Sequence, residues 1–212
     1  MKRMNCLICN ETSALRFLTV DDKTYWKCEQ CLLVFLDPKF RLSPSEESFR
    51  YQQHNNDIHD EYYRLFLSKL FNPIKENLKS GVRGLDFGCG PGPALVEMFK
   101  EENFQMDLYD PFFFKDDLVF SKAYEFIVCT EAVEHFFEPA KEFKNIDRML
   151  IKGGCFGLMT TFLDDEKGFG QWYYRKDPTH VAFYRPKTFE VIASIMNWTY
   201  EIPEKDVVIF KK

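Results

Sequence analysis

Two Cys-x-x-Cys pairs, Cys6 with Cys9 and Cys28 with Cys31, stand eighteen residues apart near the start of the chain. That spacing suits four thiolates gathered tetrahedrally on Zn²⁺. A closed four-sulfur set leaves no open coordination position, so the chemistry it offers is structural. A redox Cys-x-x-Cys would sit in a βαβ pattern, which does not surround these pairs. A second stretch, Gly84-Leu85-Asp86-Phe87-Gly88-Cys89-Gly90-Pro91-Gly92-Pro93, places three glycines at alternate positions after an acid. Glycine permits positive φ and lets a ligand lie on bare backbone. The apolar-periodic run Ala94, Leu95, Met98, Phe99 follows, so a helix N-terminus would turn unpaired N–H donors toward that turn. The dinucleotide fingerprint G-x-G-x-x-G fails at Pro93, and a Walker lysine is missing. A third stretch carries Glu131, Glu134 and His135 as E-x-x-E-H. On a helix this spacing would put all three on one face, and an imidazole there could act as a general base.

These residues need elements to hold them. Leu85 to Phe87 ends a buried strand, and helix runs from Pro93 to about Asn103. Gln105 to Tyr109 reads as strand two, with Asp110 at its end, 22 residues beyond Gly88. In nucleotide-binding α/β folds an acid at about this offset hydrogen-bonds ribose hydroxyls. Between Phe113 and Tyr124 there is room for little more than a turn and a brief third strand. Phe126 to Cys129 is an unbroken apolar run, the mark of a central parallel strand, and its carboxyl end delivers Thr130 and Glu131 to a ligand crevice. Glu138 to Leu150 reads as a helix and Cys155 to Thr160 as the next strand. Thr161 to Pro186 is a long aromatic loop with Arg175, Lys176 and Arg185, read as an acceptor-binding lid whose cations could meet an anion. Around Pro203, Trp198 to Ile202 and Asp206 to Phe210 form an antiparallel closing pair.

The acid followed by G-x-G-x-G resembles motif I of class I S-adenosylmethionine (SAM)-dependent methyltransferases, and Leu150-Ile151-Lys152-Gly153-Gly154 resembles the turn before their fifth strand. The resemblance covers about residues 81–212. It implies an α/β, Rossmann-like seven-stranded sheet, mostly parallel with the last strand antiparallel. It also implies SAM contacts from Asp86, Gly88, Cys89, Gly90, Gly92, Asp110, Pro111, Phe112, Thr130 and Glu131, with Pro111 and Phe112 flanking the adenine. The E-x-x-E-H set resembles the motif after strand four of ubiquinone-pathway O-methyltransferases and small-RNA 2′-O-methyltransferases. Those families add a later histidine, here matched by His180, and hold a divalent metal beside the acceptor hydroxyl. That implies Mg²⁺ or Mn²⁺ on Glu131, Glu134, His135 and His180, the same four being the catalytic candidates. Without a metal, His135 or His180 would serve as base or be structural.

The expected organisation is a zinc-ribbon-like module at 1–40, a helical linker or cap at 41–80 and the methyltransferase domain at 81–212. Within the cap, Tyr51 and His54 could close over a cofactor, while His59 reads as a loop residue. A net charge of −5 provides no overall basic field for nucleic acid. The first ten residues lack an apolar h-region and no apolar run is long enough to span a bilayer, so a cytoplasmic protein is expected. The leading expectation is methyl transfer to a small-molecule acceptor, an oxygen acceptor foremost. The alternatives are C- or N-methylation of a nucleotide sugar or other metabolite, suggested by a loose likeness to sugar C-methyltransferases with N-terminal zinc modules, and a non-catalytic adaptor binding protein or RNA. The sequence names neither acceptor nor oligomeric state.

Overall fold

The structure, a computed structural model, describes residues 3–10, 12–53 and 57–212. The central sheet is built from β5 (Arg83–Phe87), β6 (Gln105–Tyr109), β7 (Tyr124–Thr130), β8 (Leu150–Met159), β10 (Thr199–Glu201) and β11 (Val207–Lys211). Their spatial order is β10-β11-β8-β7-β5-β6, with β6, β5, β7 and β8 parallel and β11 antiparallel to β8. Chain order reverses between β5 and β7, the place where such sheets open a crevice at the carboxyl ends of their strands.

Both faces of this sheet are covered. Successive residues of β7 point to opposite sides. Phe126 and Val128 pack with Leu67, Leu70, Phe71 and Ile74 of α2 (Glu61–Lys75) and Leu95, Met98 and Phe99 of α3 (Ala94–Glu101). Ile127 and Cys129 pack with Phe143 and Ile146 of α4 (Pro139–Met149) and Phe189 and Ile192 of α6 (Pro186–Met196). Each fully buried side chain of this size contributes about 1.5–3 kcal/mol of transfer free energy. Gly157 in β8 lets α2 approach: a Cβ there would lie 2.7 Å from Ile74 Cδ1.

Among the described residues the sheet has six strands, not the expected seven. The missing one is the third. After β6, Asp110 and Phe114 exchange backbone hydrogen bonds, closing a tight turn. Asp116 then caps a 3-10 helix, Asp117–Ser121, by accepting from Leu118 N. Too few residues remain to lay a strand beside β6.

The cysteine stretch forms β1 (Arg3–Met4), β2 (Ala14–Val20), β3 (Lys23–Cys28) and β4 (Val34–Leu36). This sheet has a fifth member, β9 (Ala182–Phe183), which comes from the aromatic loop. Between ribbon and α2 lies α1 (Pro44–Tyr51), started by a capping box in which Ser43 and Glu46 satisfy each other's backbone N–H. Among the described residues, no helix is long and apolar enough to cross a membrane.

Candidate functional site

A cavity of about 1000 Å3 opens at the carboxyl ends of β5, β6 and β7. At its cofactor end the chain leaves β5 through Gly88, φ +85°, and Gly90, φ +63°. The N–H groups of Gly88 and Cys89 both donate to the Tyr109 carbonyl, at 2.8 and 3.2 Å, pinning the turn to the end of β6. A Cβ on Gly88 would stand 2.6 Å from Ala132 Cβ, so only glycine fits between the two loops.

Asp110 ties the two sides of this end together. Its Oδ2 accepts from Gly90 N at 3.0 Å, and its Oδ1 from Phe112 N and Phe113 N at 2.8 and 3.1 Å. Three backbone donors fix a carboxylate that still has acceptor capacity toward the cavity. Pro111, Phe112, Cys89 and Thr130 line the cavity beside it. Gly92 and Asp86 do not: Gly92 carries the turn into α3, accepting from Ala94 N at 2.8 Å, and Asp86 lies beneath the turn. Asp86 is buried, and its Oδ1 meets no hydrogen-bond partner among the described residues. Burial, and then the nearby Asp110 charge, push its carboxyl up to about 7. Burial likewise pushes the Cys89 thiol upward, which suits an inert side chain rather than a nucleophile.

The other end belongs to the E-x-x-E-H segment. It is not α-helical. Glu131 takes φ +46°, a left-handed conformation unusual for a residue with a Cβ, and Val133–His135 makes one 3-10 turn. This tight path still gathers side chains. One ligand atom each from Glu134, His135 and His180 lie within 4.8 Å of one another. Glu131 stands outside that trio and joins it through other residues. The Tyr174 hydroxyl lies 3.3 Å from Glu131 Oε2 and 3.0 Å from Thr160 Oγ1, and Thr160 donates to Glu134 Oε2 at 2.9 Å. Burial, and then the neighbouring Glu134, raise the Glu131 carboxyl above the usual range.

The two imidazoles are oriented alike. His135 Nδ1 is 3.1 Å from the Thr179 carbonyl, and His180 Nδ1 is 2.7 Å from the Tyr174 carbonyl. A carbonyl only accepts, so each Nδ1 carries a proton, and in the neutral tautomer this selects, the lone pair lies on Nε2. Burial lowers the pKa of His180, which favours its neutral form. Glu134 is 0% exposed, and its Oε1 has no hydrogen-bond partner among the described residues. A fully buried carboxylate oxygen without a donor is costly. Two imine nitrogens and that oxygen form a donor set that fits a divalent cation.

Over both ends lies α1. The Tyr51 ring meets Phe112 at 5.0 Å and His135 edge-on at 5.4 Å, and Glu47 is buried beneath the helix. Tyr51, expected to be able to close over a cofactor, lines the cavity; His54 lies outside the described residues. Glu47 and Thr160 went unread. The signal for Glu47 was the Ser43-x-x-Glu46 capping box, which announces a helix carrying it.

The aromatic loop is only partly a lid. Tyr173 and Tyr174 line the cavity, whereas Phe162, Phe169, Phe183 and Tyr184 are buried in the core. Of the three cations expected to meet an anion, two are committed elsewhere. Arg175 pairs with Asp21 at 2.7 Å and Arg185 with Glu166; Lys176 does line the cavity.

The cysteines converge as their spacing suggested. All four sulfurs lie within 4.8 Å of one another, with Cys6 to Cys31 at 3.5 Å and Cys9 to Cys28 at 3.9 Å. Sulfurs at about 2.3 Å from a tetrahedral zinc stand about 3.8 Å apart, so the set fits that ion. The N–H groups of Ile8 and Cys9 point at Cys6 Sγ, and those of Gln30 and Cys31 at Cys28 Sγ, as donors that suit thiolates.

Comparison with known proteins agrees with this architecture. Among solved structures, an O-methyltransferase family protein from Burkholderia thailandensis is similar over 68% of this chain and 55% of its own, with a TM-score of 0.50 and 7% identity. YcgJ from Bacillus subtilis is similar over 65% of this chain and 70% of its own, with a TM-score of 0.48 and 22% identity. A SAM-dependent methyltransferase from Archaeoglobus fulgidus is similar over 66% and 75%, with a TM-score of 0.46 and 21% identity. At 7% identity the first of these likenesses speaks to the fold alone, and nothing is drawn from the other two. No curated protein matches the sequence. The family described as "Methyltransferase domain" matches residues 56–201. With that match over more than half its length, the chain belongs to the methyltransferase-domain family of SAM-dependent enzymes.

Proposed function

We propose that this protein transfers the methyl group of SAM to a hydroxyl oxygen of a small molecule bound in the cavity, with a divalent cation held by Glu134, His135 and His180. The observation that carries the acceptor chemistry is the convergence of the His135 and His180 rings, each held through Nδ1, on a buried Glu134 whose Oε1 has no hydrogen bond among the described residues and lies 3.8 Å from His135 Nε2. The cofactor reading rests on the glycine turn and the fixed Asp110 carboxylate in the same cavity.

When bound, SAM would supply an electrophilic methyl for the acceptor oxygen, its demethylated sulfur compound being the leaving group and the hydroxyl proton passing to solvent. Gly88 and Gly90 open the backbone to the methionine part, and Asp110 accepts from the ribose hydroxyls. Phe112 and Pro111 give the adenine an apolar wall. A divalent cation at the trio would act as a Lewis acid, lowering the pKa of the acceptor hydroxyl. Glu134, His135 and His180 hold the acceptor end, and Tyr51 shuts water from both ends. Alignment of acceptor, methyl and sulfur is then the main source of rate, and can contribute several kcal/mol. Zn²⁺ on Cys6, Cys9, Cys28 and Cys31 is structural in this reading.

The test is a titration of the zinc-loaded protein with Mn²⁺, followed by electron paramagnetic resonance, in wild type and in Glu134→Gln. Saturable binding that falls at least about tenfold in the variant supports the cation site. Wild-type binding that the variant leaves unchanged removes it. A second reading, in which a histidine Nε2 itself takes the acceptor proton, is favoured by the same Nδ1 hydrogen bonds. It would be left standing by turnover that survives thorough removal of divalent metal.

A further inference from the structure

From the path of hydrogen bonds between the cysteine ribbon and the histidine segment, we infer that the four-thiolate ribbon is a positioning wall of the acceptor site rather than a separate module. It holds Glu134, His135 and His180 in register and leaves the cofactor end alone. The inference rests on reading that trio as the acceptor end.

The connection begins at the second knuckle. Leu32, at φ +62°, turns the chain out of Cys31, and Cys28 N donates to Leu33 O at 2.9 Å, so the knuckle sets the start of β4. Strand β4 then pairs with β9, Val34 opposite Phe183 and Phe35 opposite Ala182. Leu36 N donates to Val181 O at 2.9 Å, and Val181 N donates to Glu134 O at 2.9 Å. One residue, Val181, therefore stands between the ribbon and two members of the trio. It follows His180 in the chain and is bonded to Glu134 across space.

Two more contacts tie the ribbon to the chain on either side of His180. The buried hydroxyl of Thr188 donates to the Cys31 carbonyl at 2.9 Å. Arg175 is 4% exposed, and it meets Asp21 at 2.7 Å and Tyr25 Oη at 3.4 Å. Asp21 sits on the turn between β2 and β3. Arg175 follows Tyr174, whose carbonyl holds His180 Nδ1 and whose hydroxyl lies beside Glu131 and Thr160. The cofactor end is fixed otherwise, by Tyr109 O and by Asp110 on Gly90, Phe112 and Phe113.

A ribbon this small draws folding free energy from its metal. Losing the ion should therefore loosen β4, then β9 and His180, before it disturbs the glycine turn. Two variants separate this from general unfolding. Cys9→Ser removes the most accessible sulfur of the set. Asp21→Asn leaves all four cysteines, keeps a residue tolerant of the left-handed φ of +50° at that turn, and removes only the charge facing Arg175.

The experiment uses the full chain. It reads zinc content, SAM affinity by calorimetry, Mn²⁺ affinity at the trio, and the Cε1–H NMR signals of His135 and His180. Zinc-depleted Cys9→Ser should bind SAM within about threefold of wild type. Its two histidine signals should shift or broaden, and its Mn²⁺ affinity should fall about tenfold or more, as when supporting partners of metal ligands are lost. Asp21→Asn should keep its zinc and its SAM affinity and show the same changes more weakly. Unchanged histidine signals and Mn²⁺ affinity in zinc-depleted Cys9→Ser would overturn the inference. So would parallel loss of SAM binding and histidine order in Asp21→Asn, because the ribbon would then be supporting the fold as a whole. If wild type binds no Mn²⁺, the cation reading fails and the histidine signals alone decide the matter.

Discussion

His135 and His180 meet edge to face, their ring centroids 4.7 Å apart, and each gives its Nδ1 proton to a backbone carbonyl. Neither ring can rotate without breaking that bond, which keeps His135 Nε2 3.8 Å from Glu134 Oε1 and His180 in the same cluster. Replacing either histidine by Gln should lower turnover at least about 100-fold, the usual scale for losing an acid–base or metal-holding group. SAM affinity should hold within about twofold, since Gly88, Gly90 and Asp110 are untouched. Steady-state kinetics with calorimetry on each variant measures both, and full activity in the two single variants would remove the trio from the chemistry.

At the cofactor end the decisive close approach is between Gly88 and Ala132. Gly88→Ala adds a methyl 2.6 Å from Ala132 Cβ at a φ of +85° that L-residues avoid. It should weaken SAM binding about tenfold or more and lower stability by about 1–3 kcal/mol. Adding Ala132→Gly relieves the contact but not the backbone strain, so the double variant should recover only part of the loss. Thermal melts and calorimetry on the three variants check this.

Much of this end was legible because its signals are local. A glycine turn, a helix start and an unbroken apolar run each depend on neighbours in the chain, and β5, α3, β6 and β7 formed where those patterns lay. Sheet pairing between distant segments left no such mark. Nothing within Val34–Leu36 or Ala182–Phe183 announces that they meet, and a two-residue strand has no period to read. The same limit hid the partnership of Thr160 with Glu134, made across 26 residues of sequence. The E-x-x-E-H spacing suggested a helical face, yet the cluster formed through a left-handed Glu131 and a single 3-10 turn. Its residue types were informative and its assumed geometry was not. In the aromatic loop, composition alone could not separate side chains that roof a core from those that face a ligand.

Asp86 makes stability depend on pH. Its folded pKa of about 7 lies above the unfolded value near 3.9, so the folded chain keeps a proton that the unfolded chain releases. Stability therefore falls as pH rises from about 4 to about 7, and the penalty is complete above that. Asp86→Asn removes it. The variant should match wild type near pH 4 and exceed it above pH 7, by up to about 4 kcal/mol. Denaturant melts at the two pH values test the sign. A variant less stable than wild type at pH 8 would show that the buried carboxylate is compensated by a partner.

Thr160 supplies the hydrogen bond to Glu134 Oε2. In Thr160→Val the buried Glu134 would lose that donor, at a cost of about 1–3 kcal/mol. A bound divalent cation would satisfy Glu134 directly. Added Mn²⁺ should therefore raise the melting temperature of Thr160→Val by more than it raises that of wild type. An equal shift in both proteins would mean that Glu134 does not hold the ion.

The central claim is that the cavity binds SAM, and calorimetric titration of the folded, zinc-loaded protein with SAM and with its demethylated product tests it most directly. The account predicts saturable one-to-one binding of both compounds, in about the micromolar range usual for enzyme ligands, weakened by Gly88→Ala and by Asp110→Ala. Absence of binding by either compound to folded protein would contradict it and leave a fold of this family that does not use SAM.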